Sequence, residues 1–167
     1  GAAQGGPLAG GGVPVGRARG QVVATEALPA VLSACLSPSA CYLAQKAHGE
    51  VLVGSTTEDA GFDASVTPDA LRSLAAGAVR AVPMLRDVAV KRAWAGLRPG
   101  TPDELPILGS VDGLDGYLNA CGHFRTGILT APLSGQIVAA LLAGESPPHP
   151  VEPFLLARVA WAGATSD

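Results

Sequence analysis

Between Thr67 and Pro83 the stretch TPDALRSLAAGAVRAVP marks both ends of a single helix. Thr67 can cap it, Pro68 suits the first helical position, and Asp69 complements the positive end of the dipole. Leu71, Leu74, Ala75, Ala78, Val79 and Val82 recur at helical spacing, which gives one apolar face, and Pro83 stops the run. A helix with one apolar face needs a surface to bury it on. The flanking segments supply a sheet. RGQVVATE, from Arg19, is β-branched and alternating; CYLAQ and EVLVGST follow as a hairpin across KAHG, and VAVKRAWAG is a strand after the helix. Hairpin, helix, then strand specifies an α+β arrangement, a mixed or antiparallel sheet with a helix packed on it. Beyond the turn-rich LRPGTPDELP, LDGYLNACG reads as a short strand. ILTAPLSGQIVAALLAGE reads as a buried helix ending near Gly144, and SPPHPVEPF begins an extended proline-rich tail. There is no internal repeat.

Composition narrows the uses of such a fold. Of 167 residues, 48% are hydrophobic and 15% charged, so a core is within reach. The net charge is −3 with Lys and Arg scattered singly, which leaves no electrostatic footprint for nucleic acid. No apolar run reaches the length of a membrane span, and the first residues lack a signal peptide's charged start and apolar middle; a cytoplasmic protein is expected. Cys35, Cys41 and Cys121 are an odd number without metal-ligand spacing, so they read as reduced thiols and no metal is expected. The uncharged, glycine-rich GAAQGGPLAGGGVPVG reads either as a flexible lead-in or as the interior of a longer protein cut open.

Two arginines carry the chemistry. Arg98 lies in WAGLRPGT, just past a strand, and Arg125 lies in GHFRTG, just past the next. If those strands are neighbours in one sheet, both guanidiniums project into one crevice. A guanidinium cannot shed its charge, so each needs an anionic partner. Asp103, Glu104, Asp112 and Asp115 offer structural ion pairs; a small carboxylate held through two parallel hydrogen bonds is the alternative. The helix opening near Gly127 presents unpaired N–H groups that suit an anion or an electron-rich ring, and it is equally readable as an ordinary helix start.

WAGLRPGTPDELPILG and LNACGHFRTGILTAPLSGQIVAALLAGE together resemble the FAD-dependent amino-acid oxidases of the glycine oxidase and D-amino-acid oxidase type, a group that includes flavin subunits of hydrogen cyanide synthase and opine oxidase. RGQVVATE and CYLAQ with GEVLVGSTTE are similar to that family's substrate-domain strands, so the likeness runs from about Arg17 to Gly144. By motif it implies that Arg98 holds the substrate carboxylate, that Arg125 lies near flavin and substrate, and that Tyr42 contacts the substrate's carboxylate end. It also implies that His123, Phe124, Arg125, Thr126, Gly127, Ile128 and Leu129, with Gly96, line the flavin, and that the second helix caps the ring's pyrimidine edge. The implied activity is oxidation of the C–N bond of a small amino acid (glycine, sarcosine, a D-amino acid or an opine) with hydride transfer to flavin, then hydrolysis of the imine to a keto acid and ammonia. His123 is a tempting base, but it reads as a residue lining the flavin site or packed in the loop; His48 reads as a surface residue and His149 lies in the tail.

The family's dinucleotide fingerprint, a Gly-x-Gly-x-x-Gly turn between a strand and a helix, is missing, and the glycines of GGPLAGGGVPVG do not replace it. The expected organisation is therefore residues 1–16 as a linker or the cut edge of the FAD domain, 17–95 as a substrate-binding domain, 96–145 as a flavin-site return segment with its helix, and 146–167 as an extended tail. Another chain supplying the missing FAD-binding half is the expected partner. A truncated product is also open, as is a non-catalytic subunit or small-molecule-binding module that keeps the fold without flavin.

Overall fold

A computed structural model describes residues 13–111 and 114–159. The glycine-rich segment up to residue 12, Asp112 and the final WAGATSD lie outside the described residues. Among the described residues, six strands and two α-helices follow in the order β1 (Gly16–Ala27), β2 (Tyr42–Gln45), β3 (Glu50–Gly54), α1 (Pro68–Ala81), β4 (Val90–Gly100), β5 (Ile107–Val111), β6 (Leu114–Cys121) and α2 (Gly127–Ala143). The fold is α+β with antiparallel pairing, as the alternation of patterns requires. The chain divides into two units, one of residues 18–97 and one of residues 13–17 with 98–159 among those described.

In the unit of residues 18–97, four strands lie in the order β2-β3-β1-β4. Pairing Val22 with Gly54 and Leu43 with Val53 turns Val23, Leu43, Val51 and Val53 to one face. That face meets Leu74 and Ala78 of α1 and Leu85 of the 3₁₀ turn Pro83–Asp87, and together they form the core. Leu74 is essentially inaccessible, and such a side chain contributes about 2–3 kcal/mol by leaving water. The cap expected of Thr67 is present: its hydroxyl accepts from the Ala70 N–H. Gln21, wholly buried in β1, ties that cap to the sheet, because its Oε1 accepts from the Thr67 N–H at 2.8 Å while its Nε2 donates to Glu58. Buried Arg19 pairs with Glu58 and Asp63, both at 2.6 Å, so the loop into α1 is stitched to β1 by charge as well.

Several expectations are corrected in the other unit. VAVKRAWAG does not stop before Arg98: β4 runs on through Leu97, Arg98 and Pro99 to Gly100. ILGSV forms a strand, β5, which pairs with β6 as a separate two-stranded sheet, so β4 and β6 are not neighbours in one sheet. The helix α2 is not buried. Among its residues only Ser134 and Ile137 are buried, while Ile128 and Leu129 are 97% and 83% exposed. Its apolar residues run all the way round, and packing covers one side alone. Pro132 does not break it, since the helix continues to Ala143 and Gly144 closes it in the left-handed conformation. Within the tail, Glu152–Phe154 and Leu156–Arg158 form 3₁₀ turns, and Arg158 bonds the Asp103 carboxylate and the Leu105 carbonyl.

Candidate functional site

The two arginine segments meet through the backbone rather than through one sheet. Gly100 at the end of β4 forms an isolated antiparallel bridge with His123, and the Phe124 N–H donates to the Pro99 carbonyl at 2.8 Å. Arg98 and Arg125 thus each lie one residue from a bonded pair, Pro99 and Phe124. The turn between β6 and α2 is tightly specified. Gly122 has φ +74, and a Cβ there would stand 2.7 Å from the Thr101 methyl; Phe124 also has positive φ, 47°, with its ring against Gly100. Thr126 donates twice to the His123 carbonyl, from its N–H at 2.9 Å and its hydroxyl at 3.0 Å.

That second bond has a consequence for α2. The hydroxyl that would cap the helix points to His123 instead, so Thr126 makes no side-chain cap. The amides of Gly127, Ile128 and Leu129 are left without a partner among the described residues, whereas the Thr130 N–H reaches the Thr126 carbonyl. Arg125, exposed beside them, makes no ion pair among the described residues. Arg98 is half-buried and engaged within the protein. Of the acids offered as structural partners, Asp103 is held by Arg158 at 2.8 Å, which keeps its carboxyl far below the ordinary range. His123 is half-buried, and burial lowers its pKa, which favours the neutral ring; its Nε2 lies 3.0 Å from the buried Ser134 Oγ. Ser134 was not among the residues singled out by sequence, although a hydroxyl amid apolar helix residues is a signal.

Tyr42 and Gly96 belong to the unit of residues 18–97. Tyr42 opens β2 half-buried, its ring lying so close over Gly54 that a Cβ there would be 2.8 Å from the phenol oxygen. Gly96 is exposed in β4, and nothing stands within 4 Å of where its Cβ would be. His48, read as a solvated residue, contacts the Glu50 carboxylate at 3.1 Å. Among the described residues no group of three or more His, Cys, Asp or Glu is arranged to hold a metal, and no helix is long and apolar enough to cross a membrane.

Residues 1–141 match the family model described as FAD dependent oxidoreductase. The chain belongs to that family. Among its curated FAD dependent oxidoreductase relatives, the hydrogen cyanide synthase subunit HcnC of Pseudomonas protegens is 55% identical over 150 residues, 90% of this chain and 36% of that protein. The glycine oxidase of Pseudomonas putida is 40% identical over 144 residues, 84% of this chain and 40% of its own length. In three dimensions the crystal structure of glycine oxidase from Geobacillus kaustophilus superposes with a TM-score of 0.84 at 31% identity, covering 89% of this chain and 40% of that one. The chain therefore spans a little over a third of the length of the relatives it matches, and within that span the FAD dependent oxidoreductase fold is retained.

Proposed function

We propose that these residues form the substrate-binding and flavin-edge part of an enzyme that oxidises the C–N bond of a small amino acid, such as glycine, sarcosine, a D-amino acid or an opine, with FAD as cofactor. The observation that carries this reading is the junction of residues 99–100 with 123–124, which draws two arginine-bearing segments to the uncapped start of α2. The residues there suit a flavin ring. An apolar surface is offered by Ile128 and Leu129, and, among the described residues, open N–H donors by Gly127 to Leu129 and a cation without an acidic partner by Arg125. His123, Phe124 and Thr126 are proposed as further flavin contacts. The adenine and pyrophosphate would be held by residues outside these 167, in the same polypeptide or in another chain.

When bound, FAD supplies the two-electron acceptor for oxidation of an amine to an imine, which water then hydrolyses to a keto acid and ammonia. In this reading Arg98 grips the substrate carboxylate through its planar fork, whose five donors leave room for its contact within the protein. Arg125 completes the carboxylate end. Positioning is the protein's main contribution, because the carbon that loses hydride must be held at a fixed place. The open amides of α2 stabilise negative charge at the ring's edge. The Nε2 of His123 is engaged by the Ser134 hydroxyl, so in this reading the ring supports the turn rather than acting as a base.

The test is absorption followed by turnover. The purified protein, with whatever co-purifies, is expected to be yellow with bound flavin. Arg98→Ala is expected to keep that spectrum and to lower kcat/KM for small amino acids about 100-fold, the usual penalty for misplacing a reactant. A colourless preparation would remove the flavin reading, and unchanged turnover of every small amino acid would remove the clamp.

A further inference from the structure

Ser134 is an unusual residue for its place. It lies in the second turn of an otherwise apolar stretch of α2 and is buried, whereas Ala131, Pro132, Leu133, Gly135 and Gln136 around it are exposed. A serine inside a helix commonly turns its hydroxyl back to the carbonyl four residues earlier. Here that carbonyl belongs to Thr130, and the hydroxyl goes instead to His123 Nε2 at 3.0 Å, eleven residues back and outside the helix. His123 is thereby held three ways: by its bridge to Gly100, by its carbonyl's two bonds from Thr126, and by its ring. The first two fix the backbone, and only the third fixes the imidazole. A Cβ at Gly127 would stand 3.3 Å from the His123 Cβ, so the same ring stem abuts the first residue of α2.

We propose that Ser134 is a positioning residue for the flavin-edge turn: by donating to His123 Nε2 it holds residues 123–127, and with them Arg125 and the open amides of α2, in the shape the ring requires. This rests on the FAD reading above. The direction of the bond follows from supply and demand. The buried hydroxyl has one proton and no other acceptor among the described residues, and a neutral imidazole offers one bare nitrogen. The ring then carries its proton on Nδ1. Burial of His123 favours the neutral form this needs.

The experiment compares wild type, Ser134→Ala and Ser134→Thr in the assembled enzyme that includes the residues holding the adenine and pyrophosphate, with its flavin stripped and restored. Nitrogen-15 spectra of the stripped protein report the His123 tautomer, and visible titration reports the Kd for FAD. In wild type the Nδ1–H tautomer is expected. Ser134→Ala is expected to move the Nε2 resonance and to weaken FAD binding about tenfold, the scale of one lost net hydrogen bond, and Ser134→Thr is expected to restore both towards wild type. A merely structural serine would lower the Tm without moving the tautomer signal. Wild type that binds FAD, with Ser134→Ala unmoved in either readout, overturns this inference alone. Wild type that binds no FAD overturns the FAD reading, and the inference falls with it.

Discussion

Glu50 shows how one side chain can make part of the fold sensitive to acid. It is almost wholly buried at the start of β3, yet two cations and an imidazole reach it: Lys91 at 2.5 Å, Arg92 at 3.0 Å and His48 at 3.1 Å. The Lys91 bond above all, then that of His48, outweighs burial and brings the carboxyl down from its ordinary 4.5 to about 2. Because the folded value lies below the unfolded one, ionised Glu50 favours the folded state above about pH 4.5, and that contribution is lost as the pH falls towards 2. Glu50→Gln is expected to lower the urea midpoint at pH 7 and to flatten its fall between those pH values, as followed by circular dichroism. The cluster illustrates why single residues were hard to place from sequence. His48 and Glu50 are adjacent to a turn and Lys91 lies 41 residues beyond Glu50, so nothing local couples them. Arg98 and Arg125 were legible as cations in want of partners, but the junction of their segments depends on the Gly100–His123 bridge and the bond from Phe124 to Pro99.

The two helices were read from the same kind of signal and came out differently. For α1 the cap, the proline and the acidic first turn agree with the structure, and of the expected apolar face Leu74 and Ala78 are buried and Leu71 and Val82 pack on the core, whereas Ala75 is exposed and Ala70 and Gly77 are buried instead. Thr67→Ala is expected to destabilise the protein by about 1–2 kcal/mol in urea titrations, since the hydroxyl also accepts from Gln21 Nε2 at 3.2 Å. Thr126→Ala, by contrast, removes no cap, because that hydroxyl faces His123. For α2 the apolar run specified a helix but not its burial, as a sequence greasy on every side names no preferred face. The strand β5 was missed for another reason. Its five residues include Gly109 at φ +129, where a Cβ would stand 2.7 Å from Leu155, so its conformation is set by the tail packed on it and not by its own pattern.

At the scale of the molecule, the exposed apolar surface of α2 is the feature with the plainest physical consequence. Ile128, Leu129, Leu133 and Leu142 all face outward, and patches of this kind mark surfaces that other matter covers. The 167-residue chain by itself is expected to bind the dye ANS, and Leu133→Lys with Leu142→Lys to lower that fluorescence. What the sequence determined alone were the elements whose signals are local and mutually consistent: α1 with its cap, the strands of the β2–β3 hairpin, the α+β class, and the motifs around Arg98 and Arg125 by which the family is recognised. Periodicity and capping act over a few residues, so they are written in consecutive letters. Only the tertiary structure decided which strands share a sheet, that β4 runs on through Arg98, that Thr126 leaves its helix uncapped, and that Ser134 answers His123. Each of these turns on hydrogen bonds between residues far apart in the chain or on competition for one hydroxyl, and such choices are settled only when the backbone closes on itself.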